Sequence, residues 1–254
     1  MQNKKINGFR IEEKRDLYAQ KGNLREFKKL YSKKNPSISN KNSDILWDDI
    51  NFSRSGELKK SRIYIDKLSQ ILNFLKGKKG NLLDVGFGKG AMESRLKNSD
   101  FNLFGIDISN RSVNNVRKYV EGDFKKGNVL KIPFDSNCFN YVLCLDVMEH
   151  ISPFNTFKAL KEINRVLKTD FFLVISVPLN EGLEEMVKNG VNPNAHVRAY
   201  TPHILRRELE LSGFVIEKEI YLSAFSKHYF FKKFLNQIFR MREPNLLILM
   251  AKKK

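Results

Sequence analysis

The chain is predicted to adopt an α/β fold: a doubly wound, mostly parallel seven-stranded sheet with a C-terminal antiparallel strand, preceded by an N-terminal helical leader. Three observations predict it. Short apolar runs alternate with stretches of helical spacing from residue 81 onward, and the first run breaks into three alternating glycines in LLDVGFGKG (82–90). The last two runs, 214–222 and 245–252, follow one another without an ordinary crossover helix, so the final strand can insert antiparallel.

Residues 1–75 carry no strand pattern and read as a helical leader. LREFKKLY (24–31) has the spacing of a basic amphipathic helix, NPSISNKNS (35–43) the composition of a loop, and RIYIDKLSQILNFL (62–75) the spacing of a helix that leads into the first strand. Residues 76–254 form one domain with an amphipathic insert at 223–244. Its strands are predicted near 81–87, 102–108, 127–132, 139–146, 171–177, 214–222 and 245–252. After the glycines a helix starts with Ala91, Met92 and Leu96. Thr201-Pro202 supplies a cap and a proline at the first position of a later helix, which Gly213 closes. Ligands of such sheets bind over the carboxyl ends of the strands, which gathers Asp84, Gly86, Asp107, Asn128 and Leu145 around one crevice.

Composition narrows the function classes. With 254 residues and 41% apolar content the chain can bury one core and carry an appendage. It has no run of 18 apolar residues; the longest, FFLVISVPL (171–179), suits a buried strand. The start, MQNKKINGFR, lacks the apolar centre of a signal peptide, so a cytoplasmic protein with Cys138 and Cys144 reduced is expected. A net charge of +18 attracts anionic partners, but the basic residues are mostly lysine and the arginines are not clustered, which disfavours a nucleic-acid site.

The glycine stretch fits two cofactors. As GFGKGA (86–91) it satisfies the dinucleotide fingerprint, and Asp107 ends the next apolar run about 20 residues on, where an acid for ribose belongs. That is the reading of a nicotinamide oxidoreductase. As D-x-G-x-G-x-G, the same residues resemble motif I of the Rossmann-like (class I) S-adenosylmethionine-dependent methyltransferases. Residues 127–151, GNVLKIPFDSNCFNYVLCLDVMEHI, resemble that family's third and fourth strands, including the IPF, the FNYV and the MEH at the strand end. The resemblance continues through 159–178 and 196–214, and is nearest to the type 11 and quinone-biosynthesis methyltransferases.

The resemblance implies S-adenosyl-L-methionine as cofactor. Asp84 and the loop of Gly86, Phe87, Gly88 and Gly90 would hold its methionine end, Asp107 its ribose, and Ile108 its adenine, with Asn128, Val129 and Leu145 completing the pocket. Asn128 stands where the family usually has an acid, and accepts a hydrogen bond there without charge. Phe139-Asn140 and Lys168-Thr169-Asp170-Phe171 also depart from the family's pattern.

Methyl transfer is an in-line displacement that depends chiefly on holding the acceptor near the methyl group in a dry site. Where the acceptor is a hydroxyl a base helps, and His150 and His196 are the candidates, each with a structural hydrogen bond as its plain alternative. No Asp, Glu, His or Cys run has metal-ligand spacing, so no metal is expected. The resemblance implies that the leader, 1–75, packs across the cofactor mouth as a lid, where Trp47 and Phe52 either touch ligand or anchor the leader to the core. In FSKHYFFKKFLNQIFRMREP (225–244), helical projection gathers Phe230, Phe231, Phe234, Leu235, Ile238, Phe239 and Met241 on one half and basic and amide residues on the other. That helix either packs its stripe on its own domain or lies on an anionic membrane, as a protein peripheral to the inner membrane surface would. The expected acceptor is a small molecule, lipid or glycan, methylated on oxygen; an RNA methyltransferase remains an alternative.

Overall fold

The computed structural model describes residues 7–31, 44–53, 61–225, 229–239 and 242–254. The leader contributes α1 (Asn7–Gln20), α2 (Leu24–Lys29), α3 (Asp44–Ser53) and α4 (Arg62–Leu75). The loop expected at 35–43 lies outside the described residues, as do Met241 and the side chain of Phe230. Strands and helices then alternate: β1 (Gly80–Val85), α5 (Glu93–Leu96), β2 (Phe101–Asp107), α6 (Asn110–Val116), β3 (Asp123–Lys126), β4 (Phe139–Leu145), α7 (Thr156–Val166) and β5 (Leu167–Pro178). The chain ends with α8 (Leu183–Lys188), α9 (Pro202–Leu211), β6 (Phe214–Leu222), α10 (Tyr229–Phe239) and β7 (Leu246–Lys253).

The seven strands form one sheet in the order β3-β2-β1-β4-β5-β7-β6. The first five pair in parallel, and β7 runs antiparallel between β5 and β6. Each central strand buries both faces, as in Leu143 and Val142 of β4, which pack into the two apolar clusters on opposite sides of the sheet. The order reverses between β1 and its neighbours β2 and β4, so the crevice at the switch point opens over Val85, Asp107 and Leu145.

Two elements differ from expectation. The third strand is Asp123–Lys126, not 127–132. DFKK lacks an apolar run because it is an edge strand that buries only Phe124, whereas the more apolar NVLKIP turns back on itself through an Asn128–Lys131 bridge. The helix expected from Ala91 is reduced to the single turn Glu93–Leu96. The helix at 201–212 forms as read: the Thr201 hydroxyl accepts from the Ile204 amide at 3.2 Å, and Gly213 turns left-handed with φ of 86°.

The leader is tied to the domain by buried charge. Arg15 of α1 pairs with Glu12 and donates to the Leu30 carbonyl at 2.7 Å. Arg198 donates to Glu208 of α9 at 2.7 Å and to Thr156 at 2.9 Å, and Glu208 also accepts from Tyr31 at 2.6 Å and Tyr200 at 3.0 Å. Both arginines are fully buried, so removing either partner would strand a charge in a dry site.

α10 is held by its polar side. Tyr229 and Lys233 donate to Asp66 of α4 at 2.8 and 2.6 Å, and Asn236 donates to Ser223 at 3.1 Å. Phe231, Phe234, Ile238 and Phe239 on the other side stay 57–67% exposed. Among the described residues, no helix is long and apolar enough to cross a membrane.

Candidate functional site

β1 ends at Val85, and the next residues turn beneath a cavity of about 1180 Å³. The turn needs glycine. At Gly86 (φ 78°) an added Cβ would sit 2.6 Å from the Val147 side chain, and at Gly90 (φ 77°) 2.5 Å from Val116 and 2.6 Å from the Tyr119 hydroxyl. The Gly86 amide donates to the Ile106 carbonyl at 2.7 Å, which ties the loop to the end of β2. We expect Gly90→Ala to destabilise the protein by about 1–3 kcal/mol in urea unfolding, through a forbidden φ and an overfilled contact. Phe87 borders the cavity, but its ring packs on Phe124 at 5.4 Å in the core beneath the loop.

Three carboxyl groups face this loop. Asp84, at the end of β1, is buried, and burial lifts its carboxyl to about 6, opposed by a hydrogen bond with Glu93. Burial, and then the charge of Asp84, carry Glu93 well above the ordinary carboxyl range. Asp84 Oδ1 and Glu93 Oε2 have no hydrogen-bond partner among the described residues. A cation above the loop would supply the missing charge, which is what a cofactor with an ammonium and a sulfonium group brings.

Asp107 ends β2. Its Oδ2 accepts from the Gly88 amide and its Oδ1 from the Ser109 amide, both at 2.8 Å, so the carboxylate is fixed before any ligand arrives. Burial raises it to about 6, against the pull of those two amides. Each oxygen retains a lone pair for a ribose hydroxyl. Ser109 also donates to Asp48, which docks α3 of the leader beside this carboxylate.

Ile108, Asn128, Val129 and Leu145 line the same cavity. The Asn128 Oδ1 accepts from the Leu130 amide at 2.9 Å, holding the turn that replaces the expected strand, and keeps one lone pair for an amino group.

The other end of the cavity is built by the chain after β4. Asp146 adopts a left-handed φ of 55°, accepts from Ser176 at 2.6 Å and forms an ion pair with the buried Lys67 of α4. His150 closes a 3₁₀ turn, Met148–His150, and lines the cavity. Its ring meets the edge of Trp47 at 4.5 Å and that of His196 at 4.8 Å, and its Nδ1 lies 3.3 Å from the Ala195 carbonyl. Burial, and next the neighbouring His196, lower its pKa to about 4. His196 sits one ring behind, outside the cavity lining, with its Nδ1 2.8 Å from Glu181. Asn192 clamps its backbone in both directions, at 2.8 and 3.1 Å.

The fold therefore brings Asp84, the glycines, Asp107, Ile108, Asn128, Val129, Leu145 and His150 to one cavity, with His196 behind. Trp47 and Phe52 border it as well. Sequence reasoning missed Lys67, Glu93 and Glu181: each is one charged residue among many in a helix or loop, and only tertiary contact marks it. The cavity exceeds the 300–1,000 Å³ usual for one small ligand, so it has room for a cofactor and an acceptor.

Residues 58–219 match the family model described as Methyltransferase domain. An uncharacterized protein of Methanocaldococcus jannaschii is 30% identical over 188 residues, 73% of either chain. Among solved structures, an S-adenosylmethionine-dependent methyltransferase from Archaeoglobus fulgidus superposes with a TM-score of 0.61 at 18% identity, covering 82% of this chain and 99% of that one. The N-methyltransferase NodS from Bradyrhizobium japonicum, in complex with S-adenosyl-L-homocysteine, superposes with a TM-score of 0.62 at 13% identity, covering 82% and 96%.

Proposed function

The chain belongs to the methyltransferase-domain family, and we propose that it uses S-adenosylmethionine to methylate an oxygen of an acceptor that reaches the cavity from a membrane surface. The nicotinamide reading of the glycine loop is thereby replaced. The cofactor supplies an electrophilic methyl group; the chain's residues bind, orient and keep water away.

Asp84, hydrogen-bonded to Glu93, lies under the loop as counter-charge for the methionine end, and the Asp107 carboxylate receives the ribose hydroxyls. The acceptor occupies the remaining space between Trp47, Tyr64 and His150. His150, held neutral near pH 7 by its low pKa, takes a hydrogen bond from the acceptor hydroxyl, and His196, oriented by Glu181, backs it. Residues 1–75 act as the lid over this end, through Trp47 and the Asp48–Ser109 contact.

The observation that carries the membrane-borne acceptor is the exposed face of α10. Four large apolar side chains stand in solvent on one side of a helix whose other side is anchored to α4, and Tyr64, Ile65, Lys67 and Leu68 of α4 line the cavity. An amphipathic helix with basic flanks lies on an anionic bilayer in this way, and a chain of net charge +18 is drawn to it. We expect the protein to float with phosphatidylglycerol vesicles, less so at high salt, and to stay at the bottom of the gradient as Phe234→Asp/Phe239→Asp. A wild-type protein that ignores such vesicles would refute the membrane route and leave a soluble acceptor.

Affinity for S-adenosylhomocysteine should follow pH. Asp84 and Asp107 protonate near 6, and the ligand needs both as carboxylates, so affinity holds above pH 7 and falls between pH 6 and 5. Calorimetry from pH 5 to 8 tests this; a flat profile would contradict the carboxylate roles.

A further inference from the structure

Behind the acceptor wall three potential ligands converge, two adjacent in sequence and the third brought in by a distant loop. One Glu149 oxygen and one ring nitrogen each of His150 and His196 all lie within 4.8 Å of one another. Glu149 is 1% exposed, and neither of its carboxylate oxygens has a hydrogen-bond partner among the described residues. Neighbouring charges are already engaged: Asp146 holds Lys67, and Glu181 holds His196. Burial, and next the charge of Asp146, hold the Glu149 carboxyl well above the ordinary carboxylate range against the pull of Lys67, which Asp146 already engages, so at rest it is an uncharged acid in a dry site beside two imidazoles.

From this geometry we infer that Glu149, His150 and His196 bind one divalent transition-metal cation. The expectation of no metal rested on spacing along the chain, which does not see the 190s loop fold onto the turn after β4, where the Val197 amide donates to the Glu149 carbonyl at 2.9 Å. The surroundings suit ligation. The Nδ1 of His196 faces the Glu181 carboxylate, which turns Nε2 the other way and increases its basicity, the usual support for a ligating histidine. Ala195 takes a left-handed φ of 55°, and Asn192 bonds to both sides of the His196 backbone, so the loop that presents this ring is held firmly. Two imidazoles and one carboxylate select Mn²⁺, Fe²⁺, Co²⁺ or Zn²⁺ over Mg²⁺ or Ca²⁺, which prefer oxygen. Three protein ligands leave coordination positions open. Because His150 lines the cavity, an acceptor hydroxyl entering an open position would lose its proton to solvent more readily, before its oxygen attacks the methyl carbon; with the cation bound, this coordination takes the place of the hydrogen bond to His150, whose remaining ring nitrogen is then a ligand. That last role rests on the methyl-transfer reading; the cation site does not.

The test uses the full, tag-free chain, stripped with chelator and titrated with ZnCl₂ and, separately, MgCl₂, by calorimetry and thermal unfolding. We expect one Zn²⁺ per chain, a rise in Tm, and weaker binding of Mg²⁺. Glu149→Gln, which keeps the shape and removes the charge, should weaken Zn²⁺ by about 100-fold or more and abolish the Tm rise. His196→Gln should do the same, and decides the matter if the first variant does not fold. Parallel titration with S-adenosylhomocysteine reads the cofactor pocket separately and should be unchanged in both variants. A wild-type protein that binds no Zn²⁺, or variants that bind it as tightly as wild type, would overturn the site whether or not the cofactor binds.

Discussion

Asp107→Ala should weaken S-adenosylmethionine binding by about 3 kcal/mol or more, roughly 100-fold in Kd, since hydrogen bonds to a charged group contribute about 1.5–3 kcal/mol each and two ribose hydroxyls are involved. The side chain also holds the loop: its oxygens accept from the Gly88 and Ser109 amides, so alanine leaves both donors without this partner and loosens the glycine turn. Asp107→Asn keeps one acceptor oxygen and should lose less. Calorimetric titration at pH 7.5 measures both; unchanged affinity in the alanine variant would remove Asp107 from the ribose site.

His150→Ala is expected to lower turnover by about 100-fold or more while cofactor affinity stays near wild type. The ring lies between Trp47 and His196 at the acceptor end, away from the Asp84 and Asp107 carboxylates. Because burial keeps it neutral down to about pH 4, its own protonation should not limit turnover between pH 6 and 8. Any acid loss in that range should follow Asp84 and Asp107 and be relieved by saturating cofactor. Turnover equal to wild type would make His150 a packing residue.

Much of this was legible in the chain. The alternation of runs gave the sheet, and the glycine spacing gave the turn at Gly86–Gly90, because a positive φ with no room for a Cβ leaves few other residues. Asp107 was placed by its position at a strand end. What stayed hidden depends on contacts far apart in sequence. DFKK at 123–126 shows no strand pattern because an edge strand with one buried side chain needs none. The Lys67–Asp146 pair spans α4 and the end of β4, and no local spacing announces it. Glu149 looks like an ordinary surface acid until β4 and the 190s loop close around it. For α10 the projection separated apolar from basic residues but could not say which half would be covered. The Asp66 anchor decides that, by holding the polar half against α4.

The most direct measurement uses methyl-labelled S-adenosylmethionine with the purified protein and total cell extract, partitioned into lipid, aqueous and RNA fractions. The account predicts label in the lipid fraction, stable as an ether or ester methyl, present with wild type and largely lost with His150→Ala. Label confined to RNA or to water-soluble products, or no transfer by a protein that binds the cofactor, would contradict it.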